Sequence, residues 1–292
     1  MIIWLAIASG TALPSQAQPY SQLLSQSAPN SQSAEGQVNI GLQFIQQGRM
    51  QEAIAAFRNA TELNPNLAAA HYNLGLALRQ TGQLQPAANS FYRAIQADPR
   101  FAVAYANLGA ALLEGNNFDL SGQYLQRAVA LDPELGLAHY NLGLVYKQQQ
   151  NFDAAIASFQ RARQLSPSAP EPSYHLGQIY LQQEKFDQAL TAFQRAVELN
   201  PNYPEAYYSL GTLLFSRGSL DEALDAFRSS AEANPNYPNA YYGAGLVFIQ
   251  QQQYADAQQV LQYARGLFSA QGNTQWAAQT DQLLRQVQRQ GE

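Results

Sequence analysis

Residues 71–77 read HYNLGLA, and residues 139–145 read HYNLGLV. Two near-identical heptads 68 residues apart are either one motif used twice or two samples of a longer beat, and the second case decides the fold. The glycines settle it. Gly41, Gly75, Gly109, Gly143, Gly177, Gly211 and Gly245 follow one another every 34 residues, so 68 is two periods. Pro65, Pro99, Pro133, Pro167, Pro201 and Pro235 keep the same interval. So do Ala53, Ala87, Ala155, Ala189, Ala223 and Ala257, with Ser121 in the missing place. Four residues beyond each stands a large apolar side chain: Phe57, Phe91, Leu125, Phe159, Phe193, Phe227 and Leu261.

Each unit carries two stretches of helical period. His139, Leu142, Gly143 and Tyr146 share one face of a helix, and Ala155, Ile156, Phe159, Ala162 and Arg163 share one face of a second. A short polar turn separates them, as at Thr81-Gly82-Gln83 and Arg217-Gly218-Ser219. Asp119, Asp153, Asp187 and Asp221 open the second helix, where a carboxylate suits the positive end of the helix dipole. Asn64, Asp98, Asp132, Ser166, Asn200 and Asn234 close it ahead of the proline, which disfavours helical geometry in the preceding residue. Pro170, Pro204 and Pro238 suit the first turn of the next helix, where no amide donor is lost. The glycine and alanine columns let two antiparallel helices approach closely. The Phe column is expected to fill the space between units.

The pattern NLG…Y…G…A…F…A…P at this interval resembles the tetratricopeptide repeat (TPR). The match covers 34–271 in seven units: 34–67, 68–101, 102–135, 136–169, 170–203, 204–237 and 238–271. The resemblance implies an all-α fold, a right-handed superhelical solenoid of helix–turn–helix units with a concave groove. Three places depart from the pattern: Ala244 stands before Gly245, Ser269 replaces the last proline, and Gly115 falls one place early.

A solenoid escapes the size limit of one compact core, because each unit buries its faces on its neighbours, and it needs a polar cap. Residues 272–292 supply one, with Thr274 as expected N-cap and Trp276, Leu283, Leu284 and Val287 in a single stripe. The net charge of −5 and the lack of any basic run argue against nucleic-acid binding. The chain has no cysteine, which removes disulfides and thiolate metal sites. Its start, MIIWLAIASGTAL, resembles the apolar part of a secretory signal, with Ser15-Gln16-Ala17 as the cleavage region; no Lys or Arg precedes Arg49. Residues 18–33, rich in Ser, Gln, Ala and Pro, read as a disordered linker. These features predict an exported protein, or a cytoplasmic one if 1–17 is no signal, touching a membrane only through that segment if it stays uncleaved.

No phosphate loop, HExxH pair or GxSxG elbow is present, so no catalytic residue, metal, cofactor or small-molecule substrate is expected. His71 and His139 occupy one place in the repeat and read as core histidines standing in for an aromatic; His175 lies elsewhere.

Two residues ahead of each column glycine, before a Leu-Gly or Ile-Gly pair, stand Asn39, Asn73, Asn107 and Asn141, after which the run breaks to His175, Ser209 and Gly243. This place is expected to point off the packing stripe. In the family it lies on the concave wall, and the run resembles the asparagine ladder of the O-linked N-acetylglucosamine transferase repeats. That resemblance implies an extended peptide held by its main chain, to which an amide offers both donor and acceptor. The neighbouring place is mostly tyrosine, at Tyr72, Tyr140, Tyr174, Tyr208 and Tyr242, with Leu76, Leu144, Leu246, Arg79 and Lys147 completing the wall. A second reading stays open: the Asn is a common repeat residue and the Tyr packs on the next unit. The family's clamp for acidic C-terminal peptides needs several basic residues on this wall. Arg79 and Lys147 alone are too few, so strongly acidic peptides are poor ligands.

The expectation is a non-enzymatic scaffold or assembly adaptor that holds an extended segment of a partner protein, in the cell envelope. The alternatives are a repeat arm of a glycosyltransferase-like enzyme, for whose catalytic domain residues 272–292 leave no room, and a cytoplasmic TPR adaptor. Self-assembly through the end faces is opposed by the polar cap.

Overall fold

The computed structural model describes residues 32–291, so the apolar stretch 1–17 and nearly all of the linker read at 18–33 lie outside it. Ser33 is no longer linker: its side chain caps the first helix, accepting from the Gly36 amide at 3.0 Å. Among the described residues there are fifteen helices and no strand. They run as pairs: α1 (Ala34–Gln46) and α2 (Met50–Leu63), α3 (Ala68–Gln80) and α4 (Leu84–Ala97), α5 (Ala102–Glu114) and α6 (Phe118–Leu131), α7 (Gly136–Gln148) and α8 (Phe152–Leu165), α9 (Glu171–Gln182) and α10 (Phe186–Leu199), α11 (Pro204–Ser216) and α12 (Leu220–Ala233), α13 (Pro238–Gln250) and α14 (Tyr254–Ala270). The unpaired α15 (Thr274–Gly291) packs on α14. The chain divides into two compact units between Pro167 and Ser168. Each holds its own buried apolar clusters. In the first unit the first helix of each pair touches the next first helix, from α1 to α7, and α11 meets α13 in the second. Touching first helices therefore form a wall within each unit, of α1, α3, α5 and α7 in the first and of α11 and α13 in the second.

The glycine column is dictated by the apolar column of the same pair. A Cβ on Gly41, Gly75, Gly143, Gly177 or Gly211 would lie 2.4–2.8 Å from the ring of Phe57, Phe91, Phe159, Phe193 or Phe227. Leu125 and Leu261 press on Gly109 and Gly245 in the same way. The large residue thus packs first inside its own pair, which corrects the expectation that it fills only the space between pairs. Phe227 does both, because a Cβ on Gly243 of the next first helix would meet it at 2.5 Å. Burial of one such ring contributes about 2–3 kcal/mol. Ser121 keeps the alanine place because its hydroxyl donates to the Gly109 carbonyl at 2.7 Å.

The turns explain the displaced glycine. Residues 48, 82, 116, 150, 184, 218 and 252, one per pair, all have φ between 58° and 78°. Glycine holds that place at Gly48, Gly82 and Gly218, whereas Asn116, Gln150, Glu184 and Gln252 hold it against their Cβ. Gly115, one residue early, sits at an ordinary φ of −81°. At the joints between pairs, Asn64, Asp98, Asp132, Asn200 and Asn234 accept from the amide two residues on, at 2.9–3.0 Å. The joint at the unit boundary carries Ser166 there and Ala169 where the others carry Leu67, Phe101, Leu135, Tyr203 or Tyr237.

Two caps differ from expectation. Pro204 and Pro238 open α11 and α13, but Pro170 is the N-cap residue of α9 and Pro172 lies in its first turn. The cap of α15 is Asn273 rather than Thr274: its Oδ1 accepts from the Trp276 amide at 3.3 Å. Leu284 and Val287 are buried and Leu283 is half-buried. Trp276 stacks on Phe268 at 5.7 Å.

Candidate functional site

The first helices of the pairs carry every residue singled out for binding. In the first unit, the places ahead of Leu-Gly do not point freely outward. Asn39 and Asn73 are half-buried, but Asn107 and Asn141 are 4% and 6% exposed. The close approach of neighbouring first helices covers them, which corrects the expectation that this place lies off the packing stripe.

Their hydrogen bonds differ. Asn73 Nδ2 donates to the Ala69 carbonyl one turn back, at 2.8 Å. Asn107 is fully committed: Nδ2 donates to the Val103 carbonyl at 2.9 Å and to the Tyr72 hydroxyl at 3.3 Å, and Oδ1 accepts from Arg79 Nη1 at 3.3 Å. Asn141 Nδ2 is buried without a partner. Such a donor costs about 1–3 kcal/mol until an acceptor reaches it.

Arg79 is not a free cation. Its Nε donates to Glu114 Oε1 at 2.9 Å and its Nη2 pairs with the same oxygen. Tyr72 packs on Phe91 and Phe101, at 5.8 and 4.9 Å, and burial pushes its phenol up to about 12. Tyr140 packs on Phe159 at 5.9 Å, and burial holds the Lys147 ammonium below its ordinary value. Leu76 and Leu144, and Leu246 in the second unit, are half-buried.

In the second unit the asparagine run ends for steric and chemical reasons. Gly243 has no room for a side chain against Phe227. Ser209 donates to the Glu205 carbonyl at 2.8 Å, and the buried His175 bonds Gln178 Oε1 through Nδ1 at 3.1 Å. The tyrosines are denser here. Tyr174 packs on Phe193 and Tyr203, at 6.1 and 5.0 Å, and its hydroxyl accepts from Gln178 at 2.8 Å. Tyr208 meets Phe227 and Tyr237, both at 5.8 Å, the latter edge-on. Tyr242 stands edge-on to both Phe268 and the cap residue Trp276, at 6.5 and 5.4 Å. In each pair except the first and the third, which have Val38 and Ala106, the tyrosine body therefore belongs to the aromatic packing of its own pair.

Sequence reasoning passed over Glu205, Tyr203, Tyr237 and Glu114. Glu205 carried no signal of its own: its place in the repeat holds Ala69, Val103 and Leu137 but also Glu35 and, one period earlier, Glu171. Burial raises its pKa.

His71 and His139 are half-exposed, not core residues. Nε2 of each donates to the carbonyl of Pro65 or Pro133, at 2.9 and 3.0 Å, fastening the joint before the helix. Tyr241 does the same to Pro235 at 3.2 Å, so the histidine does replace an aromatic, as a clasp. Among the described residues no group of His, Asp and Glu is arranged to hold a metal ion. No described helix is long and apolar enough to cross a membrane.

Models of the tetratricopeptide repeat match residues 41–82, 68–101, 85–135, 134–202, 174–238 and 214–278. The chain belongs to the tetratricopeptide repeat family, whose members serve as protein-interaction scaffolds. Among solved structures it is similar to YrrB, described as a TPR protein with an unusual peptide-binding site: 29% identity over 67% of this chain and 99% of YrrB, TM-score 0.54. It is also similar to MamA from Desulfovibrio magneticus RS-1 (25% identity, 59% of this chain and 97% of that chain, TM-score 0.53). Pseudomonas aeruginosa PilF shares the fold at 20% identity, over 71% of this chain and 94% of that one, TM-score 0.63. No curated protein sequence matches the chain.

Proposed function

We propose that this protein is a non-enzymatic scaffold whose wall of first helices holds an extended segment of a partner protein. The observation that carries the reading is Asn141. Its amide nitrogen is buried on the wall with no acceptor, in register with the Asn73 amide two repeats back. A main-chain carbonyl is the natural acceptor for both, whatever the partner's side chains. The ladder is then shorter than its four asparagines suggest, because Asn107 is spent on Tyr72, Val103 and Arg79. The described peptide-binding character of YrrB supports the same reading. Arg79 is neutralised by Glu114, which keeps acidic peptides poor candidates. The apolar start at residues 1–17 supports a place in the cell envelope.

Selection from a displayed peptide library tests the binding reading. Combining Asn73→Ala with Asn141→Ala is expected to weaken the selected peptides by roughly tenfold or more, at about 1 kcal/mol per amide. Unchanged affinity would take the asparagines out of the account. Mass spectrometry of the mature N-terminus tests export: an intact Met1 in a cytoplasmic fraction would end that part.

A further inference from the structure

The second unit holds a buried carboxylate oxygen with no hydrogen-bond partner. Glu205 lies in the first turn of α11, just after the N-cap residue Tyr203. Its Oε2 is buried without a hydrogen-bond partner, and the one hydrogen bond that steadies the carboxylate comes from its own backbone amide. A buried carboxylate oxygen left unsatisfied is costly, and an incoming donor would relieve that cost.

What surrounds it is aromatic. Glu205, Tyr208 and Ser209 stand at i, i+3 and i+4 and so share one face of α11. Tyr174 lies one repeat back on α9, and Tyr237 immediately before α13. The rings are linked in pairs, Tyr208 edge-on to Tyr237 at 5.8 Å and Tyr174 to Tyr203 at 5.0 Å. The negative charge of Glu205 bears on both Tyr174 and Tyr237, adding to the upward push that burial gives their phenols. The neighbouring phenol oxygens each accept a hydrogen bond, from Gln178 at Tyr174 and from Asn239 at Tyr237, at 2.8 and 3.4 Å.

We infer that Glu205, with Tyr174, Tyr208 and Tyr237, forms a subsite for the side-chain ammonium of a lysine in the bound partner segment. The inference rests on the scaffold reading and names one residue type that the segment carries. A carboxylate supplies the charge-assisted hydrogen bond, and tyrosine ring faces attract a cation within about 6 Å of their centroids. A neutral guest of the same length would leave the carboxylate buried and unpaired, so the pocket selects for charge rather than for apolar bulk.

Titration of the full chain with Nα-acetyl-lysine amide, followed through isotope-labelled tyrosine ring signals, tests this. Saturable shifts are expected at Tyr174, Tyr208 and Tyr237, with none from the same probe acetylated on Nε. Glu205→Gln is expected to weaken the lysine probe roughly tenfold with the fold intact. Equal shifts from the Nε-acetylated probe, or undiminished binding by Glu205→Gln, would overturn the assignment. If that variant fails to fold, the two titrations of the unaltered protein decide. Neither needs an extended peptide, so this subsite and the asparagine contacts stand or fall separately.

Discussion

The two units are built from the same helical pair, yet their walls are charged in opposite ways. In the first, a cation reaches the wall at Arg79 and is cancelled on the spot by Glu114, with Asn107 and Tyr72 drawn into the same network. In the second, three periods on, the place of Arg79 is taken by Leu181 and that of Val103 by Glu205. One oxygen of the anion there has no protein partner. Packing demands the glycine, the alanine and the ring in both units, because those columns close each pair. The wall places are left for chemistry, and there the two halves diverge.

The largest expected effect concerns what the units share. Phe159→Ala removes a ring of 0% exposure from the first unit and should cost about 3–5 kcal/mol. Hydrogen exchange should show the loss concentrated in α7 and α8, since repeats depend chiefly on their neighbours. Uniform loss along the first unit would mean that its pairs fold as one block.

Next comes the difference in charge. Glu114→Gln should cost about 1–2 kcal/mol in chemical denaturation, by leaving Arg79 half-paired. It should also turn the first wall toward acidic peptides, measurable by comparing acidic and neutral ligands before and after the change. Unaltered preference would mean that Arg79 does not reach the bound segment.

A smaller effect tests the shared turn. Gln150→Gly in the first unit and Glu184→Gly in the second should each raise stability by about 1 kcal/mol, since both residues now hold a φ of 58°. Gly82→Ala should lose a similar amount. Thermal unfolding of the three variants checks both signs.

The smallest effect belongs to Glu205 alone. Burial raises its folded pKa above the ordinary 4.5. A raised carboxylate favours the folded state only while protonated. Its contribution is therefore complete below 4.5 and is lost as pH climbs through the raised folded value. Glu205→Gln should melt higher than the unaltered protein at neutral pH, with the gap closing below pH 4.5. A gap independent of pH would show that the carboxylate is not burdened by its surroundings.

Much of the architecture was legible in advance. The period of 34 placed all seven pairs, and the Gly143 and Phe159 columns announced a close helix contact. Reading the Phe column as filler between pairs missed that Gly and Phe of one pair form a single contact, because a repeat pattern states spacing and not which neighbour a ring meets. His71 was misplaced for a related reason. Helical periodicity put it on the packing face, while its imidazole turns to the Pro65 carbonyl outside the helix.

The site was legible only as a set of places. Asn39, Asn73, Asn107 and Asn141 look equivalent in the chain, and their bonds differ because Arg79 and Glu114 stand beside one of them. Glu205 shares its place in the chain with Glu35 and Glu171, and only the fold sets its charge against Tyr174 and Tyr237.

Local periodicity was enough to establish the helices, their pairing and the small residues that let each pair close, because those depend on residues within one period of each other. The state of the amides and charges on the wall had to come from the folded chain. A side chain's partner there stands one or more repeats away, and whether Asn107 or Glu205 is satisfied depends on which helices meet around it.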